Sequence, residues 1–112
     1  MDNINIAKVS VQADGKLRVF PSIPSASYQH IYREASEVYW DNEQQCFYSP
    51  VPREWDYKKW FGQIVSVVRS GLGIKLDLSK ETEFLSDNAE FKNDMIEANQ
   101  HIQKWMKENP NR

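Results

Sequence analysis

The apolar and polar positions of this chain change period several times, and each change marks an element. Over residues 4–11 the apolar positions are Ile4, Ile6, Val9 and Val11. Their parity switches after Ile6, which predicts a bulge or two short strands, because strand side chains alternate between faces with a period of two. Leu17 and Val19 resume the alternation beyond Ala13-Asp14-Gly15-Lys16, and Asp-Gly tolerates the positive φ angles of a tight hairpin turn. Pro21 and Pro24 end this hairpin. Behind Ser25 or Ser27, either able to cap a helix, residues Tyr28, Ile31, Tyr32, Ala35 and Val38 recur at helical spacing. The spacing predicts a helix to about Glu37, with a strand over 31–40 as the competing assignment.

Val38, Tyr39 and Trp40, then Cys46, Phe47 and Tyr48, flank the polar run Asp41-Asn42-Glu43-Gln44-Gln45 and predict a second hairpin. Pro50 and Pro52 stop it, since proline has no N–H to give a ladder. Asp56 is placed to cap the next helix. Trp55 before it and Trp60 inside it have the spacing of a hydrophobic staple. Tyr57, Trp60, Phe61, Ile64, Val65, Val68 and Leu72 form one wide apolar stripe. Gly71 suits the left-handed stop and Arg69 the cation-favouring last turn. Ile74, Leu76 and Leu78 alternate with Lys75 and Asp77 as a short strand, and 80–85 is ambiguous. Asp87 and Glu90 stand at capping-box spacing before a last helix that runs to about Glu108, where Asn109-Pro110 stops it. Its seam is Phe91, Met95, Ala98, Ile102 and Trp105, which either packs on its own sheet or pairs with a second copy.

These elements predict a single α+β domain over 1–112: a mainly antiparallel sheet of four or five short strands with three helices packed on it. A chain of 112 residues can bury one core without metal or disulfide support. The net charge of −2 gives no field that would draw nucleic acid or an anionic membrane, so neither is expected as a partner. No run is long and apolar enough to span a bilayer, and the N-terminus lacks the basic-then-apolar order of a signal peptide. Cys46 is alone, which excludes an internal disulfide and suits the cytoplasm.

Residues carrying reactive chemistry are scattered. His30 and His101 lie on different predicted helices without a second ligand nearby, so no metal and no cofactor is expected. Cys46 sits in a predicted strand, not at a helix N-terminus that would activate it. The carboxylate pairs Glu34 with Glu37 and Glu54 with Asp56 read as solvated face and helix cap, and the chain has no phosphate-cradling glycine loop. Three of the four tryptophans fall between Val38 and Phe61. Trp40, Trp55, Tyr57 and Trp60 beside Glu54, with Asp41 and Asp56 close in sequence, form the ligand-binding candidate, since aromatic faces next to carboxylates attract organic cations. The competing reading makes these rings core.

The run Ile31-Tyr32-Arg33-x-Ala35-x-x-Val38-x-Trp40-Asp41, followed by Ser49-Pro50-x-Pro52-Arg53-Glu54-Trp55-x-Tyr57-x-x-Trp60, resembles short proteins without an assigned activity that are encoded in bacterial mobile gene cassettes of the integron type. The similarity covers roughly residues 17–84 and is most specific at Ser-Pro-x-Pro-Arg-Glu-Trp. The resemblance implies a small, soluble bacterial α+β protein, often self-associating, and supplies no catalytic residues. The expected function is a non-enzymatic binding or interaction module, acting as a homodimer on a protein or a cationic small molecule. An antitoxin or immunity-type protein facing a basic partner, or an enzyme of unknown class, are the alternatives.

Overall fold

The computed structural model describes residues 2–34, 36–52 and 55–109. Ala35, Arg53, Glu54 and Pro110, each of which carries an expectation, lie outside them. The strands are β1 (Asp2–Val11), β2 (Leu17–Pro21), β3 (Tyr39–Asp41), β4 (Cys46–Tyr48) and β5 (Ile74–Leu85). A 3-10 helix occupies Ala26–Glu34, and the α-helices are α1 (Tyr57–Leu72) and α2 (Phe91–Glu108). The five strands form one sheet in the order β3-β4-β2-β1-β5. Its first three pairings are antiparallel, as expected, whereas β1 and β5 run parallel.

Strand alternation sorts the sheet into two faces. Trp40, Phe47, Val19, Val9 and Phe84 stand opposite one another in one row across all five strands and face the helices. The next row, Tyr39, Tyr48, Arg18, Ser10 and Leu85, lies on the other face. The parity switch in β1 is a register shift between Ile6 and Lys8, which keeps Ile4, Ile6 and Val9 all buried.

Both hairpin turns are built by an aspartate. In the first, Gly15 takes φ 78° and the Asp14 carboxylate accepts the Lys16 N–H at 3.1 Å. Both Asp14 oxygens also take the Arg18 guanidinium, each at 2.8 Å. In the second, Asp41 Oδ1 accepts the N–H groups of Glu43 (2.9 Å) and Gln44 (3.1 Å), and Gln45 turns the chain at φ 61°.

The first helix is 3-10, not α, and ends at Glu34 instead of Glu37. At three residues per turn, i and i+3 eclipse. Tyr28 and Ile31 therefore share the buried side, and Tyr32 swings out to 66% exposure. Beyond it, Glu37 takes φ 64°, a left-handed conformation that no helix continues through.

At α1 the expected cap and staple both form. The Asp56 side chain accepts the Lys59 N–H at 2.9 Å, and the rings of Trp55 and Trp60 meet at 4.9 Å. The left-handed stop is Gly73, at φ 69° with its N–H on the Arg69 carbonyl, not Gly71. Gly71 stays helical, where the Glu34 side chain crowds the space a Cβ would take. In α2 the buried seam is Phe91, Met95, Ala98, Ile102 and Met106. Met106 closes it where Trp105 was expected, and Trp105 is 40% exposed. The capping box does not form: Glu90 caps without a side-chain bond, and its own N–H goes to Asn88 Oδ1 at 2.9 Å.

The two α-helices lie side by side and parallel. At their N-terminal ends the Tyr57 and Phe91 rings meet edge to face at 6.5 Å. At their C-terminal ends Arg69 Nη2 donates to the Asn109 carbonyl at 2.7 Å. α2 also guards the outer edge of β5, because Gln103 Nε2 donates to the Leu76 carbonyl at 2.8 Å and Asn99 Nδ2 to Asp77 at 2.9 Å. Such capping blunts an edge that would otherwise template another strand. Among the described residues, no helix is long and apolar enough to cross a membrane.

Candidate functional site

The parallel packing of α1 and α2 leaves an open groove of about 610 Å³ along their outer side. Small side chains make its floor: Gly62 on α1 and Ala98 on α2, with Ile102 beside them. Trp55 forms one end wall. It lies just before the cap, so its ring is fixed by the staple to Trp60 and cannot join the core behind the helix; it is 40% exposed. Trp60 behind it is 7% exposed, and its indole N–H is buried without an acceptor among the described residues.

The rim is ionic and largely satisfied from within. Lys58 Nζ reaches across to Glu97 at 3.4 Å. Asp56 is engaged in capping α1, and Lys59, Gln63 and His101 complete the lining. Trp105 stands one turn beyond His101, on the same side of α2, since residues four apart share a helix face.

The sequence-derived candidate residues fall into separate ring pairings. Trp55 and Trp60 come together at the groove. Tyr57 turns the other way: its ring meets Phe91 and its hydroxyl donates to the Gly15 carbonyl at 2.8 Å, tying α1 to the first hairpin turn. Trp40 packs with Tyr28 (5.0 Å) and Phe47 (4.9 Å) beneath the 3-10 helix. Glu54 lies outside the described residues. Gly62, Lys58, Glu97 and His101 had no place in the sequence-derived set. The readable signal was a glycine inside a strong helical pattern, which usually has a packing or functional reason.

The remaining reactive groups stand apart from the groove. Cys46 is buried on the helix-free side of β4, and burial, with Asp41 adding to it, pushes its thiol up to about 12. His30 is half-buried on the 3-10 helix, its Nδ1 without a partner among the described residues. Among the described residues, no group of three His, Cys, Asp or Glu is close enough to hold a metal ion.

The family profile described as Integron Cassette Protein Hfx_Cass5 matches residues 2–82. A solved structure described as "Structure from the mobile metagenome of North West Arm Sewage Outfall: Integron Cassette Protein Hfx_Cass5" is 33% identical over 89% of this chain and 98% of that one, with a TM-score of 0.43. No curated protein sequence matches. The matched stretch spans the whole sheet up to Thr82, both hairpins and the capped, stapled helix α1, and it joins the sequence resemblance noted at Ser-Pro-x-Pro-Arg-Glu-Trp: the chain belongs to the Hfx_Cass5 family of integron cassette proteins.

Proposed function

We propose that this cassette protein is a non-enzymatic binding module, acting in the cytoplasm, and that its ligand sits in the α1–α2 groove. The observation that carries the reading is Trp55, an exposed indole held in place by a second indole at the end of a small-residue floor. Aromatic surface left in water at a fixed position is stored binding free energy, and covering the open part of one indole returns roughly 2 kcal/mol. A thiol raised to about 12 is protonated at neutral pH and no nucleophile, which supports binding over bond-making.

Intrinsic tryptophan fluorescence is the test. A ligand of the groove should change the emission of the wild type, and Trp55→Ala should abolish the response, with circular dichroism reporting that α1, still capped by Asp56, persists without the staple. If Trp55→Ala titrates like the wild type, the groove is not the site.

Self-association is a second reading, favoured by Trp105, a large apolar side chain at 40% exposure on the wall that Glu97 and His101 begin. Light scattering should then give a dimer that Trp105→Lys converts to monomer. A wild type that stays monomeric at high concentration removes this reading.

A further inference from the structure

We infer that the groove takes an uncharged planar aromatic ligand, laid over Gly62 and Ala98 with its face or edge on Trp55; this rests on the groove being the binding site. The floor is where the argument begins. A Cβ built on Gly62 meets only Ile102 Cδ1, at 4.0 Å, an ordinary contact, so the space above Gly62 is open. Ala98 opposite adds a single methyl. Two such small residues on adjacent helices leave a slot suited to a flat body. The groove volume of about 610 Å³ lies in the range of small-molecule sites, roughly 300–1,000 Å³.

The wall supplies orientation. The Trp55 ring is set at 52° to Trp60 and 4.9 Å from it. A planar ligand therefore meets an indole already fixed, and offset or edge-to-face contact is the favoured geometry between rings.

Charge decides the class. Among the described residues the lining holds two acids, Asp56 and Glu97, and two bases, Lys58 and Lys59, with His101 as the remaining titratable group. Glu97 already pairs with Lys58 at 3.4 Å, and Asp56 accepts the Lys59 backbone N–H. A cationic ligand would gain from the acids and lose to the lysines, and an anion the reverse. Either would give up hydration without an unbalanced counter-charge among the described residues to replace it. A neutral ring loses no such hydration.

The test uses three probes that share one ring: indole, tryptamine as the cation and indole-3-acetate as the anion, followed by amide and indole N–H shifts in ¹H–¹⁵N NMR spectra. Indole should move the Trp55 indole resonance and the Gly62 and Ala98 amides, with an affinity that salt leaves unchanged. The two charged probes should bind at least about fivefold more weakly, as the hydration penalty requires. Gly62→Leu, which fills the slot with a good helix former, should remove indole binding, with circular dichroism reporting that the helices persist; Gly62→Ala, milder still, should weaken it. Tighter binding of tryptamine or indole-3-acetate overturns the ligand class and leaves the groove as a site. Indole shifts that survive Gly62→Leu overturn the slot. No shift from any of the three overturns this inference, and the groove reading then stands or falls on the Trp55→Ala titration alone.

Discussion

Residues 79–82 of β5 stand opposite Ala7 alone, because the pairing jumps from Ile6–Leu78 to Lys8–Glu83. Thr82 fills the break. Its hydroxyl donates to the Ile6 carbonyl at 2.6 Å and accepts the Ser79 N–H at 2.9 Å, so one side chain does what two ladder groups would. Thr82→Val keeps the shape and strands both partners, and should cost ~1–3 kcal/mol, the penalty for buried groups left unpaired. A urea midpoint equal to that of the wild type would show the break is held some other way. Trp60→Ala should cost more, ~3–5 kcal/mol, as deletion of a buried aromatic does; calorimetry or urea unfolding reads it. Cys46 gives a chemical counterpart. With its thiol pushed up to about 12 by burial, it should ignore a disulfide reagent in the native protein at mildly alkaline pH and react once unfolded. Rapid native labelling would contradict its placement under the Arg18–Tyr48 row.

Helix ends show which local signals decide an element. Asp56 and Trp55 could be read directly, since cap and staple need only residues within one turn of each other. Asp56→Ala should therefore lower stability by about 1 kcal/mol, a typical loss for an N-cap. Gly71 and Gly73 could not be told apart in the same way. They flank Leu72, the last residue of the apolar stripe, and only the carbonyl that each N–H reaches separates them. Gly73, at φ 69°, should lose about 1 kcal/mol on conversion to Ala, whereas Gly71→Ala, which gains helix preference but must displace the Glu34 side chain whose Cγ the new Cβ would meet at 2.6 Å, should lose less. Thermal unfolding of the pair separates the two assignments. The α2 seam ends one residue later than its spacing suggests for a related reason. A four-residue step to Met106 and a three-residue step to Trp105 are both helical, and the choice is made by the neighbour against which α2 packs. The 3-10 helix is the largest local miss, since Tyr28 and Ile31 satisfy three- and four-residue templates alike.

At the scale of the molecule, nothing local in 74–78 says which strand it will join or in which direction. The parallel pairing with β1 follows from α1 crossing the helix-bearing face of the sheet before β5 returns beside it. The groove shares that origin: Gly62 and Ala98 belong to helices separated in sequence by all of β5, so the sequence pointed to Trp55 and Trp60 and not to the floor between the helices. One global property does trace to a local turn. The Arg18 guanidinium, forked onto both Asp14 oxygens, holds the Asp14 carboxyl well below the usual carboxylate range, and the Lys16 N–H helps. A carboxyl whose folded pKa lies below its unfolded value of about 3.9 stabilises the fold fully above that pH and loses the contribution as pH falls through the folded pKa. The Asp14 side chain is 41% exposed, so solvent screening limits the pair to about 1 kcal/mol. Urea unfolding of wild type and Asp14→Asn across the acid range should therefore give a gap that is constant near neutrality and closes below about pH 4, the unfolded carboxyl pKa. A gap that holds its size down to the acid limit would mean that Asp14 shapes the turn without its charge, and that the acid sensitivity of the fold begins elsewhere.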